Sequence, residues 1–205
     1  MKAFLLLCLY TFSVSTAAQS FAQANNSEIT PKPFARKTWQ LGIQGGYSKA
    51  QFLANNLTTQ FYGGYYVANK LMLGASASWS GEWTQRVIET NLLSVGPAIR
   101  YQFTQTRLSP FVAAAYRFGT YTFTSQDYSS TSGNSGFRTY QNNTISGIHS
   151  RSLSAGLTIG ITPALRGEVV ANWQDAVRPS DGFKIGSSNF WQAQVGLSYL
   201  LLPRQ

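Results

Sequence analysis

Residues 91–103, NLLSVGPAIRYQF, leave a chain few ways to fold. In an extended backbone Asn91, Leu93, Val95, Pro97, Ile99, Tyr101 and Phe103 share one side, and Leu92, Ser94, Gly96, Ala98, Arg100 and Gln102 share the other. The first side is oily and ends in two aromatics. The second is mostly small or polar and carries a full positive charge. A half-buried strand of a soluble protein shows the same alternation, so the rest of the chain has to decide what covers the oily side.

The pattern recurs. Trp39, Leu41, Ile43 and Tyr47 alternate with Gln40, Gly42, Gln44 and Gly46; Leu71, Leu73, Ala75, Ala77 and Trp79 alternate with Met72, Gly74, Ser76 and Ser78. Residues 153–161, 165–173 and 191–201 repeat it, with Ser154, Gly156, Gln192, Gln194 and Ser198 among the non-oily members. Each run has the roughly nine to eleven residues with which a tilted strand crosses a bilayer. Water-facing strands carry Lys, Glu and Thr, whereas these non-oily faces hold Gly, Ser, Gln and Asn, as in a crowded polar interior. A closed barrel with its oily face outward satisfies every backbone group in lipid. A secreted soluble barrel that binds a ligand inside would need the opposite packing, with leucines central and glutamines in water.

Composition agrees with one such domain: 205 residues, 11% charged and 14% aromatic. No apolar run is long enough for a spanning helix, because only alternate residues are oily. Residues 1–24 have the form of a secretory signal, with Lys2, an apolar stretch over residues 3–14 and an Ala22-Gln23-Ala24 cleavage site; cleavage after Ala18 is the alternative. Cys8 lies inside that signal, so the mature chain is expected to have no thiol chemistry. The net charge of +9 is scattered, with no basic run, which argues against nucleic acid. Lys49, Arg86, Arg138, Arg151, Arg178 and Lys184 lie in or beside the loops, where phosphates of outer-membrane lipid or lipopolysaccharide are one counter-charge and plain solvation the other.

The expected architecture is all-β: an eight-stranded, antiparallel, up-and-down transmembrane β-barrel over residues 38–202, after a periplasmic lead-in (25–37) without regular structure. Strands are expected at 39–52, 57–67, 71–80, 91–103, 108–124, 149–161, 165–173 and 189–201. The phase of the second stays open because aromatics fall on both of its faces. Turns at 68–70, 104–107 and 162–164 are short; the connections between them are longer, and 125–148 is the longest non-periodic stretch. Short periplasmic turns and longer outer loops are the barrel arrangement, which puts both chain ends in the periplasm. Pro97 has no N–H for a neighbour and predicts a bulge or a bridging water.

Several stretches resemble the OmpA/OmpX-like outer membrane protein β-barrel family. GYYVANKLMLGASAS (64–78) is similar to its hairpin in which a strand ends in a short polar turn and restarts as L-x-L-G-A; VGPAIRYQF (95–103) is similar to its G-P-x-x-R-Y-x-F strand, and LSPFVAAAYRFG (108–119) to the strand that follows. The resemblance spans residues 39–201 and implies a bacterial outer-membrane protein, porin-like or structural. The chain departs from the pattern in ending on Leu-Leu-Leu-Pro-Arg-Gln after Tyr199, where many such barrels end on an aromatic. With no peptidoglycan-binding domain after Gln205, cell-wall anchoring is not implied.

The side chains that carry chemistry are few. Arg100, Arg117, Arg166 and Glu168 all take the non-oily face; Arg100, Arg166 and Glu168 are placed to meet in the lower lumen as an ion-pair network. Eight-stranded barrels have interiors that side chains just fill, so such a network plugs the pore; a narrow gated channel for small solutes is the rival. His149 is the single histidine. Lipid A deacylases have an H-x-S pattern, but here the residues are His149-Ser150-Arg151-Ser152, and Pro163 stands where an acid belongs, so the chain is expected not to be an enzyme. Asp127, Asp175 and Asp181 have no metal-ligand spacing, and Gly133 and Gly136 cradle no phosphate; no cofactor or metal is expected. Tyr128, Phe137 and Tyr140 make either an adhesive tip or packing over the mouth. The expectation is a monomer with an unknown extracellular partner.

Overall fold

A computed structural model describes residues 32–49, 55–83, 89–129, 137–178, 183–184 and 190–202. The signal, both cleavage sites, Arg86, Asp181, Gly133 and Gly136 lie outside the described residues, as do the side chains of Lys49, Asp127, Tyr128, Phe137, Arg138, Tyr140, Arg178 and Lys184. Eight long strands run antiparallel: β1 (Trp39–Lys49), β2 (Asn55–Ala68), β3 (Leu71–Trp83), β4 (Glu89–Gln102), β5 (Leu108–Ser129), β6 (Phe137–Gly160), β7 (Leu165–Arg178) and β9 (Phe190–Leu201); β8 (Phe183–Lys184) is a two-residue piece paired with the end of β7. Each strand pairs with its successor, β6 with β7 and β7 with β9, and β9 returns to β1 through Trp39↔Leu201 to Gly45↔Val195, closing the ring.

The alternation resolves into two walls. Leu41, Phe61, Leu73, Leu93, Val95, Val112, Leu153, Val169, Val195 and Leu197 are exposed, while Gln40, Gln44, Ser76, Ser94, Arg100, Asn172, Gln192 and Gln194 are buried. The solvent-inaccessible interior is therefore polar and the outer wall apolar, the reverse of a soluble barrel. Aromatics ring both ends of that wall. Trp39, Tyr65, Tyr101, Phe103 and Tyr199 lie toward the short turns, with Trp39 and Tyr65 ring centroids 5.3 Å apart. Tyr47, Trp79, Tyr116, Phe118, Trp173 and Trp191 lie toward the longer connections.

Two expectations change, and one open point closes. The phase of β2 is settled: Tyr62 and Tyr66 point inward, and Phe61 faces out. Pro97 makes no bulge. The β4–β5 ladder holds one register from Val95↔Phe118 to Ala98↔Ala115 and omits the rungs at Gly96 and Pro97, with Pro97 itself on the lipid side. Residues 125–148 are not a loop throughout, since β5 and β6 stay paired as far as Ser129↔Phe137, past a register shift beside Gly147 (φ 75°). The described residues of the lead-in, 32–37, hold turns with no helix or strand and pack against the barrel. Phe34 (φ 59°) and Lys37 (φ 73°) turn the chain back under the barrel, Lys70 N donates to Phe34 O at 2.9 Å, and Lys37 N donates to Tyr66 O at 3.0 Å.

Candidate functional site

The polar faces converge on Glu168, inside the barrel near its short-turn end. β7 brings Glu168 inward because Val169 on its lipid side sets the phase; β4 brings Arg100 inward for the same reason, between Ile99 and Tyr101. Arg100 Nη2 lies 2.8 Å from Glu168 Oε1 and Nη1 lies 3.2 Å from Oε2, a two-point pair with both side chains out of solvent contact. The carboxylate also accepts from Tyr62 Oη at 2.6 Å, Gln44 Nε2 at 2.7 Å and Ser198 Oγ at 2.8 Å. Arg100 Nη2 donates to Thr158 Oγ1 at 2.9 Å, and its guanidinium lies 3.6 Å from the Phe111 ring centroid. Gln40, hydrogen-bonded to Ser198 and to Tyr66 Oη, extends the network downward. A buried ion pair is tolerable only when its remaining donors and acceptors are satisfied, and here β1, β2, β6 and β9 supply those partners while β5 adds the Phe111 ring. A cavity of about 30 Å³ beside Arg100, bordered by Gln44, Gln60, Tyr62 and Ser152, leaves room for about one water.

Arg166 and Arg117 are not part of this pair. Arg166 turns toward the short-turn end, its guanidinium 5.2 Å from the Phe34 ring centroid and 3.5 Å from the carbonyl oxygens of Thr106 and Pro163. The strand phase put it on the right face, but two residues nearer the mouth than Glu168 it meets the folded lead-in instead. Arg117 is fully buried higher in the barrel and donates to Ser76 Oγ at 3.3 Å; its Nε and Nη2, and the hydroxyls of Ser78, Ser94 and Ser150, have no protein partner.

Buried apolar clusters lie above and below the pair among the described residues. Phe34, Tyr66, Met72 and Leu200, with Leu202 against them, form the lower one; Leu92, Ile148 and Ala176, with Tyr121 and Ile145, form the upper. Sequence reasoning placed Gln40, Gln44 and Ser198 on the interior face without assigning them to Glu168. It missed Tyr62, hidden by the doubled aromatics of β2, and Phe34, which sits before any periodic run.

His149 and the serines beside it lie on opposite walls. His149 faces outward, where Tyr116 Oη lies 2.5 Å from its Nδ1, while Ser150 and Ser152 are buried inside. No His–Ser pair forms there. Asp175 faces outward beside Arg151, its Cα partner across β6 and β7.

No model of a known protein family matches the chain, and no curated protein matches it. Solved structures do. Neisserial surface protein A is 14% identical, with a TM-score of 0.51, over 80% of this chain and 95% of that one. Ail, the attachment invasion locus protein of Yersinia pestis, is 12% identical with a TM-score of 0.46, over 81% and 99%. The outer membrane enzyme PagL is 14% identical with a TM-score of 0.42, over 80% and 99%. One closed ring of eight antiparallel strands, apolar outside and polar within, gives this chain the fold of the eight-stranded outer-membrane β-barrels.

Proposed function

We propose that the chain is a bacterial outer-membrane protein whose barrel is a closed structural element presenting its longer connections outside the cell. The observation that carries this reading is the Arg100–Glu168 pair, packed among side chains from most of the strands and lying between two apolar clusters. An ion crossing the interior would meet that pair and the apolar clusters on either side of it. In this orientation the short turns and the Phe34 turn face the periplasm, which is the barrel convention. The reading is non-enzymatic: the histidine and the serines of residues 149–152 are on opposite walls, and the described hydroxyls that do meet a carboxylate, Tyr62 and Ser198 on Glu168, are buried in the interior beside Arg100. Its partners are the surrounding lipid, including phosphates of the outer leaflet, with the barrel a monomer and the extracellular partner met through the longer connections.

Conductance in planar bilayers tests this against the rival, a narrow gated channel. The wild-type barrel and an Arg100→Ala/Arg166→Ala variant are each expected to be silent. Single-channel steps in the wild type would replace the structural reading with the channel, and steps in the variant alone would make the ion pair a gate.

A further inference from the structure

Charge on the lipid side of a barrel strand is costly at the midplane and cheap only near the interfaces. Among outward-facing strand residues whose side chains are described, only His149, Arg151 and Asp175 carry an imidazole, a guanidinium or a carboxylate, and they sit together. Tyr116, Arg151 and Asp175 share one rung across β5, β6 and β7, and Phe118 and His149 share the next outward-facing rung. One outward-facing rung below lie Leu153, Trp173 and Trp191, in the aromatic ring toward the longer connections. The cluster is therefore at headgroup depth.

Its internal contacts leave donors to spare. Arg151 is exposed and makes no ion pair with Asp175 despite their shared rung. Tyr116 Oη lies 2.5 Å from His149 Nδ1; with the hydroxyl donating there, the imidazole keeps Nε2–H as its free donor. The His149 ring stands edge-on to Phe118 at 4.9 Å and to Tyr116 at 5.7 Å, which fixes its plane. A guanidinium and an oriented imidazole N–H, set among aromatic side chains at the membrane interface, match a phosphate oxygen carried by a lipid.

We infer that Arg151 and His149 form a binding site for the phosphate of a phosphorylated glycolipid in the outer leaflet. The inference rests on the outer-membrane reading above. Asp175 on the same rung opposes any anion there, which predicts that Asp175→Asn binds more tightly.

Native mass spectrometry of the barrel in nonionic detergent, titrated with lipid A or with its dephosphorylated form, is the test. Lipid A adducts should be favoured over the dephosphorylated lipid, weakened about tenfold by Arg151→Gln, as expected for the loss of one charge-assisted contact, and resistant to equimolar inorganic phosphate. Equal adducts with the dephosphorylated lipid, no effect of Arg151→Gln, or full displacement by inorganic phosphate would each overturn it. Outer-membrane fractionation of the same proteins keeps the two readings apart. A wild type that fractionates there but fails the titration sinks only the lipid site, whereas one that does not fractionate there sinks the membrane location first.

Discussion

Arg100 on β4 and Glu168 on β7, strands that are not neighbours in the ring, join through two contacts of 2.8 and 3.2 Å inside the barrel, toward its short-turn end. Everything around the pair is arranged to satisfy it, so the account makes unequal demands on its members and on the other interior arginines.

Removing Glu168 while keeping Arg100 leaves a guanidinium buried without its counter-charge. Glu168→Gln should lower unfolding stability by about 3–5 kcal/mol, the usual loss when one partner of a buried pair is taken away. Urea unfolding followed by tryptophan fluorescence measures it; a loss below about 1 kcal/mol would mean the pair is wet or weakly formed.

Arg117 should behave in the opposite sense. It is fully buried, has one hydrogen bond to Ser76, and leaves no carboxylate stranded when removed. Arg117→Met should be neutral or stabilising by about 1–2 kcal/mol, because an apolar chain of similar length avoids burying an unmatched charge. The same urea assay, run beside Arg100→Met, should show the midpoint lowered by Arg100→Met and unchanged or raised by Arg117→Met.

The Phe34 turn predicts that the lead-in contributes to the barrel. Phe34 is fully buried against Tyr66, Met72 and Leu200, from β2, β3 and the final strand. Phe34→Ala should cost about 3 kcal/mol, within the range for truncating a buried aromatic. It should also lower the temperature at which the compact gel band converts to the unfolded one. An unchanged conversion temperature would show the turn to be unimportant for closure.

Glycine at position 96 is required by how closely β5 approaches. A Cβ there would lie 2.2 Å from the carbonyl oxygen of Tyr116, which is backbone and cannot swing away; at Gly45 the nearest atom, the carbonyl oxygen of Thr58, would be at 3.8 Å. Gly96→Ala should impair refolding into micelles, read as the fraction of heat-modifiable band, while Gly45→Ala should refold like the wild type.

The strands that cross the membrane were legible because lipid on one side and a packed polar interior on the other impose a strict period of two. Residues 91–103 and 191–201 read cleanly for that reason. Where the constraint relaxes, the reading failed. Above the aromatic ring β5 and β6 stay paired to Ser129↔Phe137, but the Ser, Thr, Asn and Gln content of that sequence has no period of two and reads as loop. In β2 Phe61, Tyr62, Tyr65 and Tyr66 put aromatics on both walls, so periodicity could not say that Tyr62 reaches Glu168. Strand phase placed Arg100, Arg117, Arg166 and Glu168 on the interior wall, but which of them touch depends on height along the barrel, and the Phe34 turn that receives Arg166 had no periodic signal at all.

The claim beneath all of this is that the outer wall meets lipid and the polar wall does not. Site-directed spin labelling tests it at two adjacent residues of β9, Val195 and Gln194, which are 67% and 1% exposed. In bilayers a label at Val195 should collide readily with oxygen and poorly with a water-soluble nickel chelate, and a label at Gln194 poorly with both. A Val195 label freely reached by the nickel chelate would contradict the account.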